Sequence, residues 1–128
     1  MNTFNYLNDT PTAKFTLKGF KGKREVHATI DSGASKSLIP VPMATDLGLK
    51  LKEVVDAIGV CREPVKVNVY WAEVYFMGKL VTDTILGFNL PVGKEAEEYK
   101  TCLIGRDVLN KFKIELDGKR KLIMTSDP

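Results

Sequence analysis

A single carboxylate stands in this sequence between an apolar run and a group of very small residues. Asp31 follows Ala28-Thr29-Ile30 and precedes Ser32-Gly33-Ala34-Ser35. Because the small side chains take little space, the backbone can turn sharply after Asp31 and another chain can approach it closely. The hydroxyl of Ser32 can lock the turn, and backbone N–H groups can hold the carboxylate. The pattern indicates chemistry carried by an acid at the end of a strand.

Other kinds of site fit the sequence less well. A serine nucleophile of the Gly-x-Ser-x-Gly type needs a glycine where Ser37 stands, and His27, the only histidine, would have to be its base. Cys61 and Cys102 lie far apart and, with one histidine, give no zinc-ligand spacing. We therefore expect no metal and no cofactor. The structural alternative for Asp31 is a turn or N-cap, since aspartate is common beside serine and glycine.

Strands are expected on both sides of the acidic loop. Residues 14–18 and 24–31 alternate polar with apolar side chains, and the segment 19–23 between them, with two glycines, is predicted to be a hairpin connection. After Asp31, residues 36–40 are predicted to form a short strand that ends at a proline. These strands would deliver the acid and then carry the chain away from it.

Two short helices are predicted further along the chain. The first begins near Pro42, a residue suited to the first helical turn, and runs to about Leu47 with Gly48 as its C-cap. The second is indicated by helical spacing of apolar residues over 106–112.

A long hairpin is expected in the middle of the chain. Residues 54–60 and 65–76 are rich in β-branched and aromatic side chains, which are typical of strands. In the second arm the apolar positions change from odd to even numbers between Trp71 and Ala72, and this phase change predicts a bulge. Residues 80–86 are a further strand candidate.

The rest of the chain completes an all-β pattern. Residues 87–99 are predicted to be a polar surface loop, and residues 113–124 a hairpin that turns at Asp117-Gly118. Many short strands with two short helices favour a closed or rolled β-barrel in a single domain.

The composition is that of an ordinary globular domain. The chain has 128 residues, of which 44% are hydrophobic and 27% charged, and its formal net charge is +3. No apolar stretch approaches the roughly 20 residues that cross a bilayer. The first residues contain no basic segment followed by an apolar one, as a secretory signal would. We expect a cytoplasmic protein with no membrane partner.

A nucleic-acid-binding barrel is an alternative that the basic residues raise. It needs exposed aromatic rings interleaved with lysine or arginine on one face. The candidates are Tyr70, Trp71, Tyr75 and Phe76, but the strand period makes them core or inner-hairpin residues. The basic excess is small, so we expect no nucleic-acid partner.

Two motifs together resemble a known family. Asp31-Ser32-Gly33 resembles the Asp-Thr/Ser-Gly signature in the active-site loop of aspartic proteases, although the tripeptide alone is a weak signal. Leu103-Ile104-Gly105-Arg106-Asp107 resembles the two apolar residues, glycine and following helix near the C-terminus of retropepsin-like proteases, the single-domain class typified by retroviral enzymes. The order and spacing of both motifs agree with that family over about residues 13–124, and the chain looks more like a cellular member than a retroviral one.

The resemblance implies a fold and a division of the chain. It implies a closed retropepsin-like acid-protease β-barrel over residues 13–128, with residues 1–12 as an N-terminal extension and a candidate part of a dimer interface. The apolar-apolar-glycine element would pack beside the active-site loop. The central hairpin would be a mobile flap over an extended peptide, with Ile58, Gly59 and Val60 near its tip.

The resemblance also assigns roles around the acid. Ser32 matches the residue that interlocks two active-site loops, and Gly33 the residue whose backbone lines the substrate groove. Ser35 departs from the pattern, because many retroviral members have an acid there that pairs with the arginine matching Arg106. The ion pair is therefore not expected in its usual form, although Asp107 or another carboxylate could substitute for that acid.

One chain supplies half of such a site. No second aspartate is followed by Ser or Thr and then Gly: Asp9-Thr10-Pro11 and Asp83-Thr84-Ile85 fail at the third position. The resemblance therefore implies a two-fold homodimer in which two copies of Asp31 share one proton and cleave unfolded or extended polypeptides. The alternative is a dimer of the same fold that binds peptides or proteins and cleaves little.

Overall fold

The computed structural model describes residues 2–58, 63–93 and 95–127, and at Ile58 it describes the backbone only. Within these ranges the chain forms ten strands, two α-helices and one 3-10 helix. In chain order they are β1 (Asn2–Asn5), β2 (Thr12–Gly19), β3 (Gly22–Ile30), β4 (Leu38–Ile39), α1 (Val41–Asp46), β5 (Lys50–Ile58), β6 (Pro64–Phe76), β7 (Lys79–Gly87), the 3-10 helix (Glu98–Lys100), β8 (Leu103–Ile104), α2 (Arg106–Leu109), β9 (Lys113–Asp117) and β10 (Leu122–Ser126). The predicted fold class, all-β with two short helices, is confirmed.

Six of the strands close into a barrel. Their order is β2-β3-β8-β4-β7-β6, and β6 pairs back onto β2 through Thr16↔Tyr75, Leu17↔Val74 and Lys18↔Glu73. The pairs β3–β8 and β4–β7 are parallel, whereas the other pairs in this sheet are antiparallel. Strand β5 pairs with β6 outside the closed ring. The predicted closed barrel is therefore present.

The core fills the barrel with the inward-facing residues of these strands. Phe15 and Leu17 of β2, together with Val26 and Ala28 of β3, are buried and alternate with exposed or half-buried neighbours. This period of two is what the sequence predicts for strands with one face on the core. Full burial of a valine, leucine or phenylalanine side chain stabilises the folded state by about 1.5–3 kcal/mol.

Strand β6 contains the predicted bulge. Its register against β7 shifts between Trp71 and Val74. Val69 is buried at an odd position, whereas Tyr70 and Ala72 are buried at even ones, so the inward face changes between Val69 and Tyr70, slightly before the predicted place. Trp71 remains 43% exposed, so the expectation that it is a core or inner-hairpin residue is wrong. Because the inward face has already changed at Tyr70, the odd-numbered Trp71 lies on the outer face.

Both helices lie near the predicted positions. Helix α1 has Pro42 in its first turn, and Gly48 follows it with φ +66°, a conformation that glycine adopts without steric cost. Helix α2 ends at Leu109 instead of Phe112. The ring of Phe112 still packs edge-on against Phe76, at 5.2 Å between centroids.

A second sheet joins the two ends of the chain. Its order is β1-β10-β9, with both pairs antiparallel. The turn between β9 and β10 spans 118–121 and is thus longer than the predicted turn at Asp117-Gly118. Phe4 of β1 stacks on Phe76 at 5.9 Å between ring centroids, which ties this sheet to the barrel core.

The segment 87–99 is not a surface loop along its whole length. It ends in the 3-10 helix, where Tyr99 is only 3% exposed. The Glu98 carboxylate accepts a hydrogen bond from the backbone N–H of His27 at 2.9 Å and pairs with Arg24. The amide of Asn8 donates to the Tyr99 hydroxyl at 3.0 Å. These contacts anchor the end of the loop on β3 and on the turn that carries Asn8.

The helices in the described part of the chain are short. The longest, α1, has six residues, and no helix there is long and apolar enough to cross a membrane.

Candidate active site

Asp31 lies directly after the last residue of β3. The parallel partner β8 fixes its position, because Ile30 pairs with Ile104 and the backbone N–H of Asp31 donates to the Ile104 carbonyl at 2.9 Å. The strand that delivers the acid and the apolar-apolar-glycine element are therefore neighbours. This is the contact that the resemblance implied.

A tight turn holds the Asp31 carboxylate. Its Oδ1 accepts a hydrogen bond from the backbone N–H of Gly33 at 2.9 Å, and its carbonyl accepts one from Ala34 at 3.2 Å. A Cβ atom at Gly33 would lie 3.2 Å from Oδ1, which is closer than an ordinary contact. Asp31 is half-buried, while Ser32 and Gly33 are exposed. The acid is thus oriented by its own loop and open on one side.

Gly105 allows the helix α2 to approach this loop. A Cβ atom there would lie 2.6 Å from the carbonyl carbon of Lys36 and 2.7 Å from its oxygen. The next residue, Arg106, donates its backbone N–H to the Ala34 carbonyl at 2.9 Å. Because the obstructing atoms are backbone, only glycine fits between α2 and the loop.

A buried serine that no sequence pattern predicted connects the same two segments. The Ser37 hydroxyl donates to Oδ1 of Asp107 at 2.8 Å and accepts the backbone N–H of Gly105 at 3.0 Å. The Ser37 and Val108 backbone N–H groups also donate to Oδ1, each at 3.0 Å. Ser37 is fully buried. A lone serine in a sequence carries no signal for such a role, because its hydroxyl can bond to many groups.

Arg106 bonds to the active-site loop differently from the expectation. Its Nη1 donates to the Ser32 carbonyl at 2.8 Å. Asp107 does not replace the missing acid, since its carboxylate is held by Ser37 and by its own helix. Among the side chains that the structure describes, Arg106 forms no ion pair. Arg106 therefore holds the loop through a neutral carbonyl acceptor.

The hairpin of β5 and β6 lies beside the loop, with a groove between them. Ile58 is the last residue of β5, whereas Gly59 and Val60 lie outside the described residues. The groove has a volume of about 380 Å³ and is lined by Ser35 and Lys36, by residues of β5, and by Val69 and Leu86. An extended peptide in this groove would contact both the loop and the hairpin.

Two other reactive side chains in the described part of the chain, Cys102 and His27, do not compete with Asp31. Burial raises the pKa of the Cys102 thiol to about 11, so it is not a thiolate nucleophile at neutral pH. His27 contacts Thr12 through its Nε2 at 2.9 Å, and partial burial, then the charge of Lys14, lowers its pKa. Within the described ranges, no group of three or more His, Cys, Asp or Glu side chains could hold a metal ion.

Two solved structures resemble the chain over most of its length. A retropepsin-like aspartic protease from Rickettsia conorii matches with a TM-score of 0.60 and 16% sequence identity, covering 97% of this chain and 87% of that one. EIAV protease, in complex with the inhibitor HBY-793, matches with a TM-score of 0.55 and 17% identity, covering 81% of this chain and 88% of that one. No protein-family model and no curated protein matches the sequence.

At these identities the likeness shows the fold. The chain has the fold of the retropepsin-like aspartic proteases, as the two motifs indicated. The fold supports a protease at the coarse level, and the finer assignment depends on the chemistry of the loop.

Proposed function

We propose that the protein is a homodimeric aspartic endopeptidase in which Asp31 of each subunit supplies one half of the catalytic pair. The observation that carries this proposal is the half-open turn of Asp31, packed on β8 and Gly105 within a retropepsin-like barrel. A turn or N-cap aspartate would not need the close contact with α2 that Gly105 permits. The proposed substrates are extended segments of unfolded polypeptides.

The pair works because two like charges cannot be held a few ångströms apart. Two adjacent carboxylates share one proton, so one is a base and the other an acid over a wide pH range. The ionised member takes a proton from water as the water oxygen attacks the scissile carbonyl carbon. The protonated member donates its proton to the carbonyl oxygen. On collapse of the tetrahedral intermediate, the carboxyl that took the water proton donates it to the leaving nitrogen and the C–N bond breaks. The other carboxylate takes back a proton from a hydroxyl of the intermediate, which restores the pair.

Other residues of the loop and hairpin take supporting roles in this proposal. Ser32 interlocks the two loops across the dimer axis, while Gly33 and Ala34 present backbone groups to the substrate. Ile58, Gly59 and Val60 close over the bound peptide. The supporting layer beneath the loop consists of Leu103, Ile104, Gly105, Arg106 and Asp107. Residues 1–12 are proposed to contribute to the dimer interface, and the setting to be cytoplasmic.

The decisive experiment compares wild type with Asp31→Asn on an unfolded protein substrate between pH 4 and 7. The variant keeps the size of the side chain but cannot ionise, so cleavage should fall by about a hundred- to ten-thousandfold. Asp83→Asn is the matched control and should cleave normally, because Asp83 is exposed and lies outside the proposed site. A statine-type peptide mimic should inhibit wild type, and sedimentation should give the mass of a dimer.

Equal cleavage by wild type and Asp31→Asn would exclude the mechanism. A dimer that binds the mimic but cleaves nothing would favour a peptide-binding role for the same groove.

A further inference from the structure

We propose that the groove beside the catalytic loop selects an acidic residue of the substrate, with the Lys36 ammonium as the recognising group. This inference rests on the proposed function and names the substrate class that the site would prefer. It starts from the charges around the groove between the loop and β5.

The groove offers an apolar surface for the stem of a side chain. Val69 is buried, and Val55, Ala57 and Leu86 are half-buried along it. Val55 and Ala57 project from the same face of β5, since residues two apart on a strand share a face. The two methylenes of a glutamate fit such a surface, provided that its carboxylate reaches a polar partner.

The other charged groups of the groove are already paired. Lys52 pairs with Glu53 at 3.1 Å. Asp56 pairs with Lys66, also at 3.1 Å. Each of these pairs has a net charge of zero, so neither should strongly attract or repel a charged group of a bound ligand.

Lys36 is different from these paired groups. It is exposed, it lines the groove, and it forms no ion pair in the part of the chain that the structure describes. It stands in the same loop as Asp31, five positions further on, and its own carbonyl packs against Gly105. The backbone that carries the ammonium is therefore fixed relative to the catalytic acid. Of the four charged side chains that line the groove, Lys36 is therefore the one without an ion-pair partner among the described residues.

The chemistry that complements this arrangement is a carboxylate on an aliphatic stem. A peptide lying between the loop and the hairpin would bring such a side chain out of bulk water, where an ion pair is stronger than on an open surface. A charge-assisted hydrogen bond in that setting is expected to favour glutamate over glutamine by about tenfold. A lysine in the same position would be disfavoured by repulsion.

The test uses synthetic peptides of one sequence in which Glu, Gln or Lys is placed in turn at each of the four positions on either side of the scissile bond. Cleavage by wild type is measured as kcat/KM, and binding to the Asp31→Asn dimer by fluorescence anisotropy. At one or two positions, Glu should exceed Gln by about tenfold in both measurements. The preference should vanish below about pH 4.3, where the peptide carboxylate is protonated.

Variants of Lys36 identify the recognising group. Lys36→Met should bring the ratio of kcat/KM for the Glu and Gln peptides to about one. Lys36→Glu should make the Lys peptide the preferred substrate. The matched control is Lys23→Met, which removes an exposed lysine at the opposite end of β3 and should leave the ratio unchanged.

The outcomes separate this inference from the proposed function. Cleavage without a Glu preference, or a preference that survives Lys36→Met, overturns the inference and leaves the protease intact. A Lys36-dependent Glu preference in binding without cleavage supports the inference and removes the protease. If no peptide is cleaved and none is bound, both the inference and the proposed function are overturned.

Discussion

At the scale of single residues, burial decides whether a chemically reactive side chain can act. Cys102 lies just before β8, close in sequence to the supporting layer of the active-site loop, yet it is fully buried and its pKa is raised to about 11. Asp31 lies at the end of the neighbouring strand and is open on one side. Two neighbouring strands therefore keep the Cys102 thiol out of solvent and leave the Asp31 carboxylate accessible.

The first prediction concerns this thiol. In a Cys61→Ser variant, where Cys102 is the only cysteine, a maleimide at pH 8 should label the folded protein only as fast as the protein unfolds. Two causes act together, since only about one thiol in a thousand is ionised at that pH and the sulfur is out of reach. Mass spectrometry measures the extent of labelling over time, and the urea-unfolded variant is the control. Labelling within seconds under native conditions would contradict the burial.

The second prediction concerns the pH dependence of stability. Partial burial and Lys14 lower the pKa of His27 in the folded state below the usual value of 6.5. The unfolded chain then binds a proton more readily than the folded chain, so stability is full above pH 6.5 and is lost as the pH falls below it. Thermal unfolding at pH 7.5 and pH 5.5 should show a larger decrease in Tm for wild type than for His27→Gln. An equal decrease in Tm for wild type and His27→Gln would mean that His27 titrates alike in the folded and unfolded states.

Some residues of the candidate site could be predicted from the sequence and others could not. Asp31 and Gly105 could be predicted because each stands in a short motif with a fixed neighbour. Ser37 could not, because its importance comes from Asp107, which is 70 positions away and becomes a neighbour only after folding. The sequence left the partner of Arg106 open, and the structure shows a backbone carbonyl as that partner. Motifs identify residues, but long-range packing determines their partners.

At the scale of elements, the contact between the active-site loop and α2 depends on one missing side chain. The third prediction is that Gly105→Ala destabilises the protein by about 1–3 kcal/mol, because the new methyl group would overlap the Lys36 backbone. Relaxation would push α2 away from the loop, so peptide cleavage should fall as well. Urea unfolding measures the stability change.

Gly118→Ala is the matched control for this substitution. Gly118 lies in the turn between β9 and β10, with no atom within 4 Å of an added Cβ. Its substitution should change stability by less than about 0.5 kcal/mol and leave cleavage unaffected. A Gly105→Ala variant as stable as this control would show that the loop and α2 can separate at no cost.

The elements differ in how far the sequence could predict them. The long hairpin, the bulge in β6 and helix α1 with Gly48 follow from local patterns, and each is present. Strand β4 lies within the predicted strand 36–40, whereas β8 has two residues, too few for any period to be visible, and was not predicted. Their parallel and antiparallel pairings close the barrel, yet they are set by residues distant in sequence. The pairing of β1 with β10 joins the two ends of the chain and has no local signature either.

At the scale of the whole molecule, one subunit is a finished barrel but holds half of the proposed site. The barrel closes on itself and its core is continuous, so the subunit does not need a partner to bury its interior. The proposed chemistry does need one, since the sequence contains a single Asp-Ser/Thr-Gly. Assembly and catalysis would therefore be linked through the two copies of Asp31.

The last prediction follows from that linkage. Two separated carboxylates in neutral water hold no proton, whereas two that meet at a dimer axis share one, so dimerisation takes up a proton. The dimer dissociation constant, measured by analytical ultracentrifugation between pH 5 and 8, should then rise with pH by as much as tenfold per unit. Asp31→Asn has no ionisable pair at the axis and should give a nearly flat profile, which makes it the control. A wild-type constant that does not change with pH would mean that the two acids do not meet when the subunits associate.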